Sequence, residues 1–202
     1  MNYQLVLDDT LKKITGTPKL LLHACCAPCS SYCIEYLSEY FEITIFYYNP
    51  NIDTEEEFLH RLHELERFIK EFKTKNPVHL VNVGYLKEEY DSVALGLENE
   101  PERGARCLKC YKLRLEKSFQ YAKENYFDYI TTTLTLSPHK NSKVINEIGG
   151  ELENIYHIPY LYSDFKKREG YKRSIVLSRE YNLYRQDYCG CQYSKKNKNI
   201  LH

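Results

Sequence analysis

The chain has 202 residues, 43% of them hydrophobic, which suits one domain with a sizeable core; its 28 basic and 28 acidic side chains cancel, which argues against a bulk nucleic-acid binder. Met1 to Asp9 shows neither a basic start nor an apolar signal stretch, and no segment approaches the roughly 18 apolar residues of a membrane span, so a cytoplasmic protein without membrane contact is expected. In a reducing compartment eight cysteines read as metal ligands or redox catalysts rather than as a disulfide framework.

Residues 19 to 24 read as a short buried strand ending in Cys25-Cys26-Ala27-Pro28-Cys29, with a helix from Ser30 to Tyr40 that turns Ile34 and Leu37 inward. Ile43 to Tyr48 is a second strand, closed by Asn49-Pro50-Asn51. Thr54 to Glu57 has the form of a capping box, and Phe58, Leu62, Leu65, Ile69 and Phe72 follow on one helical face. Val78 to Val83 reads as a third strand and Tyr85 to Leu97 as a helix, followed by an acidic loop at Glu98 to Glu102. Beyond Gly104, Cys107 and Cys110 open another helix. Tyr129 to Leu134 is a β-branched strand, Leu136 to Asn141 a polar loop, and the next helix is expected to finish at Gly149-Gly150. A last short strand is expected at His157 to Leu161. Strands alternating with helices predict an α/β fold: an open, mostly parallel sheet with helices on both faces. Functional residues then gather at the carboxyl rim: Cys25 and Cys26, then Asn49, then Ser137 and His139.

Seven of the eight cysteines lie in three groups: Cys25, Cys26 and Cys29; Cys107 and Cys110; Cys189 and Cys191. Thiols three residues apart at a helix start converge and gain from the helix dipole, so Cys107 and Cys110 can chelate one metal or one cluster edge. With Cys25 and Cys26 they make four thiolates, enough for a tetrahedral zinc or a four-iron cluster. Neighbouring side chains leave a strand in opposite directions, which disfavours a zinc knuckle and favours a larger cluster; a dithiol enzyme is the third reading. Cys189-Gly190-Cys191 is either a strained, redox-active pair across a flexible glycine or two further metal ligands. Cys29 is placed to help hold a second metal, or is a small buried thiol, and Cys33 packs.

His23 and His139 could each donate a proton, although a satisfied structural histidine is the simpler reading, and His60 and His63 look solvated. From residue 160 onward ten Lys and Arg stand against four acids, interleaved with tyrosines such as Tyr171, Tyr184 and Tyr188. That mixture of cations and stacking faces suits single-stranded or looped RNA, and equally a solvated helix face. Within it, Asp164 to Gly170 could grip a phosphate backbone or form an ordinary charged turn.

Four separated stretches, taken in order, carry a family resemblance: His23-Ala24-Cys25-Cys26-Ala27-Pro28-Cys29-Ser30; Arg106-Cys107 through Cys110-Tyr111 to Arg114; Thr132 to Lys140; and Asp164 to Lys167 with Tyr184 to Cys191. They closely resemble the cobalamin-independent epoxyqueuosine reductases, from about Leu20 to Ser194. The resemblance implies the last step of queuosine synthesis, reduction of the epoxide of epoxyqueuosine at the wobble position of tRNA to the alkene with loss of water. It implies Cys25, Cys26, Cys107 and Cys110 as ligands of a [4Fe-4S] cluster, and Cys189 with Cys191 as a redox-active pair. Some members carry an aspartate at the position of Cys29. The architecture would resemble that of ATP pyrophosphatases and tRNA thiolases, but the cysteine motif replaces their phosphate loop, so no ATP use is expected. The whole chain, 1–202, is read as one iron-sulfur reductase domain with a basic, Tyr-rich segment from about 160.

Epoxide deoxygenation needs two electrons, two protons and a group that draws off the oxygen. Four cysteines on one cluster leave no iron open, so either one ligand departs or an additional iron held by Cys29 with a neighbour does the Lewis-acid work, the second being favoured. Cys189 and Cys191 would deliver the electron pair, refilled by an unidentified electron donor, while the basic stretch holds the anticodon loop. The rivals are a tRNA sulfur-transfer enzyme of the pyrophosphatase class and a zinc-stabilised RNA-binding module without catalysis.

Overall fold

A computed structural model describes residues 1–198, with side chains as far as Lys195; Lys196 and Lys198 of the basic segment therefore lie outside the described side chains. The elements in order are α1 (Tyr3–Leu11), β1 (Lys19–His23), α2 (Ala27–Leu37), β2 (Glu42–Tyr47), α3 (Glu55–Glu71), β3 (Val78–Asn82), α4 (Lys87–Ala94), α5 (Ala105–Glu124), β4 (Tyr129–Thr132), a 3-10 turn (Thr133–Leu136), α6 (Ser142–Tyr156), α7 (Gly170–Glu180) and α8 (Gln192–Lys198).

The four strands form one sheet in the order β3-β2-β1-β4, every pair parallel. Alternation along β1 divides the core in two. Leu20 and Leu22 face α1, α2 and α3, whereas Leu21 faces α5 and α6 together with Phe46 and Ile130. All three leucines are fully buried, and each contributes about 1.5–3 kcal/mol of hydrophobic stabilisation. The chain runs outward from β1 through β2 to β3, then returns to β4 on the far side of β1. Strand order therefore reverses between β1 and β4, and the crevice beyond their carboxyl ends is where such sheets bind ligands.

Several boundaries differ from the sequence reading. Helix α2 begins at Ala27 rather than Ser30, because Pro28 sits in its first turn, where the missing N–H costs nothing. Helix α4 is shorter than expected, and β4 stops at Thr132, where the chain tightens into the 3-10 turn. Helix α6 continues through Gly149 and Gly150 to Tyr156. Gly149 lies flat under the Tyr160 ring, and a Cβ there would approach that ring to 2.3 Å, so the glycine serves packing and not termination. The expected strand at His157 to Leu161 is reduced to one parallel bridge, Ile130 to Tyr160. The Thr54 half of the capping box forms, its Oγ1 accepting from Glu57 N at 3.2 Å, while the Glu57 carboxylate accepts from Arg61 Nε at 2.7 Å; Phe58, Leu62, Leu65 and Phe68 are buried along α3.

Candidate active site

Cys25 and Cys26 fall in the turn between β1 and α2, and Cys26 is the residue that caps α2 in extended conformation. The turn, unlike a strand, points both thiols the same way. Their sulfurs are 3.6 Å apart, so the divergence expected of neighbouring cysteines does not occur. Cys29, one turn into α2, joins them, and the three sulfurs lie within 4.8 Å of one another in a group that could hold a metal ion. Cys33 is buried in the core beneath. Hydrogen bonds from Cys26 and then Cys29 hold the Cys25 thiol well below its ordinary pKa in spite of burial, with Lys140 and Arg114 assisting. The same sharing pushes Cys26 up to about 11 and Cys29 well upward. Gln186 donates to the Cys26 sulfur at 2.8 Å, and its buried Oε1 has no hydrogen-bond partner among the described residues.

Cys107 and Cys110 stand in the first turns of α5, outside that compact group. Burial pushes both thiols up, Cys110 to about 12, so desolvation outweighs the helix dipole that was expected to favour thiolates. The sulfurs of Cys189 and Cys191 act on both. Arg114, one turn beyond Cys110, connects the two groups. It is 1% exposed, donates to Asn49 Oδ1 at 2.6 Å and His23 Nε2 at 3.3 Å, and carries no carboxylate among its described partners. Burial opposes its charge, but Cys110 first, then Cys25 and Cys189, sustain it. A buried cation without an acid needs a counter-charge, and Cys25, whose thiol is held low, can supply it. Asn49 completes the link by donating to Ala24 O at 2.9 Å.

His23 is fully buried, with Nδ1 2.8 Å from Thr132 Oγ1 and Nε2 accepting from Arg114 Nε, 3.2 Å from Tyr48 O. Burial, then the Arg114 cation, pushes its pKa down to about 3, so it is neutral and structural and donates no proton to the site. His139 is exposed at the cavity mouth, and His60 packs edge-on against Tyr184.

The carboxyl-terminal segment returns over this crevice. Cys25, Cys29, Lys140, Gln186, Tyr188 and Cys189 all line one cavity of about 300 Å³. Lys140 and Arg185 bring cations to its lining; burial works against the Lys140 charge, but Cys189, Cys25 and Cys29 raise its pKa. All eight cysteines carry free thiols. The basic segment is less available than its composition promised. Lys166 pairs with Asp164, Arg168 with Asp8, Lys172 with Glu169, Arg173 with Glu35 and Lys195 with Asp53. The Asp164 to Gly170 stretch is mainly a charged turn that ties α1 to α7.

Asn49 was expected at the carboxyl rim, but Arg114, Asp53, Lys140 and Gln186 were not singled out from sequence for any role. Arg114, Lys140 and Gln186 stood inside the quoted motifs, and a buried-cation test of those motifs would have found the first two; nothing local marks Asp53.

A parallel α/β sheet whose switch-point crevice gathers thiols from separate stretches, among cations, has the build of an oxidoreductase. Residues 20–197 match the family described as Epoxyqueuosine reductase QueH. The chain is 43% identical over 205 residues to the epoxyqueuosine reductase QueH of Streptococcus pyogenes serotype M1, covering 99% of this chain and 80% of that one. Identity is 41% to the Staphylococcus epidermidis protein of the same name (98% and 88% covered) and 30% to that of Thermotoga maritima (87% and 89% covered). The chain belongs to the epoxyqueuosine reductase QueH family.

Proposed function

We propose that this chain reduces epoxyqueuosine to queuosine at the wobble position of tRNA, acting in the cytoplasm as a single reductase domain. The observation that carries the reading is the shared cavity in which Cys189 of the carboxyl-terminal segment meets Cys25 and Cys29 of the sheet edge. The soft, all-sulfur donor set, with buried guanidinium groups beside it, fits an iron-sulfur centre. Cys25, Cys26, Cys107 and Cys110 would hold a [4Fe-4S] cluster, with Cys29 beside them for an additional iron. When bound, such a centre would supply single electrons and a Lewis acid for the epoxide oxygen.

The chain's own residues account for the rest. The Cys189 and Cys191 dithiol provides two electrons and two protons, becoming a disulfide as the epoxide becomes an alkene and its oxygen leaves as water. Lys140 presents a cation to the oxygen that takes on negative charge, and Tyr171 and Tyr188 offer faces to the modified base. An external donor then returns the disulfide to the dithiol.

The test is anaerobic purification with iron and sulfide quantitation, followed by incubation with epoxyqueuosine-containing tRNA and a reductant. Mass analysis of the nucleoside should show loss of one oxygen. Cys189→Ala should keep the iron and sulfide content yet stop turnover. A colourless, zinc-containing chain, or a Cys189→Ala variant of parental rate, overturns the reading.

A further inference from the structure

Apart from the thiols, Asp53 is the residue most closely tied to the Cys189 to Cys191 segment. It lies in the loop between β2 and α3. Its backbone N–H donates to Gly190 O at 2.9 Å, its Oδ1 accepts from the Tyr188 hydroxyl at 2.9 Å, and its Oδ2 is 3.3 Å from Lys195 Nζ. These contacts bracket the cysteine pair before, between and after. The carboxylate is only 10% exposed, so it is an internal fixture and not a surface partner. The same loop forms the seat for Gly190. This residue has φ +113°, and a Cβ there would meet Arg61 Nη1 at 3.1 Å, Ile52 Cγ1 at 3.3 Å and Asn51 Nδ2 at 3.4 Å. Asn49, four residues earlier, holds the other thiol turn through Ala24 O. One short loop thus spaces both sets of cysteines.

We propose that Asp53 is a positioning residue that docks the Cys189 and Cys191 pair in its dithiol form and so sets how readily the pair is oxidised; this rests on the pair being the electron-delivering dithiol. The contacts belong to the reduced state, since both thiols are free. Closing a disulfide across one residue draws the two cysteines together and bends the backbone at Gly190, which pulls Tyr188 and the Gly190 carbonyl off Asp53. A contact made in one state and lost in the other biases the equilibrium by its own free energy. Removing it favours the disulfide.

The experiment equilibrates the full chain, purified anaerobically, with glutathione buffers of graded ratio, then quenches, alkylates and weighs the peptide containing Cys189 and Cys191. Dithiol plus oxidised glutathione gives disulfide plus two reduced glutathiones, the two thiol protons and two electrons passing to glutathione sulfur. Asp53→Ala should shift this equilibrium about tenfold toward disulfide, about 30 mV for a two-electron couple. Tyr188→Phe removes the same hydrogen bond without touching the β2–α3 loop and should shift it the same way. Asp53→Asn keeps an acceptor for Tyr188, loses only the exposed Lys195 pair, and should stay within about threefold of the parent. No shift in either Asp53→Ala or Tyr188→Phe, or a shift toward dithiol, overturns the proposal. A parent chain that forms no Cys189 to Cys191 disulfide at any ratio instead removes the dithiol reading, and the proposal with it.

Discussion

The two thiol regions that meet in the cavity are held by different physics. The Cys25 to Cys29 turn hangs between a strand buried from Leu20 to His23 and the first turn of α2, and is braced from below by Arg114, Asn49 and His23, all of them buried. The Cys189 to Cys191 segment belongs to no strand. Besides its seat on Asn51, Ile52 and Asp53, it hangs from α3: Tyr184 N donates to Glu64 Oε2 at 2.5 Å, Arg67 Nη2 donates to Tyr181 O at 2.9 Å, and the Arg61 guanidinium sits 5.3 Å from the centre of the Tyr188 ring. The first region is tied into the main core, whereas the second is held by these hydrogen bonds and by a small cluster in which Cys191 packs with Tyr90, Ala94 and Cys110. That division suits chemistry in which a fixed thiol site is served by a segment that changes redox state.

The comparison breaks most directly at Arg114. Arg114→Met fills the space but leaves Asn49 Oδ1 and His23 Nε2 buried without their donor, and should cost about 3–5 kcal/mol in urea denaturation. A loss under about 1 kcal/mol would show that the network does not hold the turn.

Proton linkage gives the next largest effect. His23 has its pKa pushed down to about 3 in the fold, while an unfolded imidazole titrates near 6.5. Between those values the unfolded chain binds the extra proton, so stability is fully present above about 6.5 and falls as the pH drops, by about 1.4 kcal/mol per unit. Denaturation midpoints across that window should trace the slope, and His23→Asn should flatten it. An undiminished slope in that variant places the acid sensitivity elsewhere.

Gly190→Ala tests the seat of the carboxyl-terminal pair. A side chain at φ +113°, pressed against Arg61, costs about 1–3 kcal/mol. The strain should be relieved by unseating the segment, so Cys189 should be alkylated several-fold faster while the urea midpoint barely moves. Equal losses of global stability and seating would mean that the segment and the core unfold as one unit.

Much of this was legible in the linear chain. Alternating apolar runs and caps named all four strands, the α3 helix with its Thr54 cap, and the parallel α/β class, because strand and helix periods are local properties. The clustering of cysteines marked the thiol chemistry for the same reason. Tertiary structure decided which groups meet and what their surroundings do to them. It brought Cys29 to Cys25 and Cys26 by making a turn of what looked like a strand end, set Cys107 and Cys110 opposite Cys189 and Cys191, and let burial override the helix dipole at Cys110. It also ran α6 through Gly149, since the reason for that glycine is a ring eleven residues away. Spacing along a chain reports which side chains share a face. Burial, counter-charge and the reach of Asp53 to Gly190 depend on distances through space, and those exist only once the sheet has brought its far-separated loops to one edge.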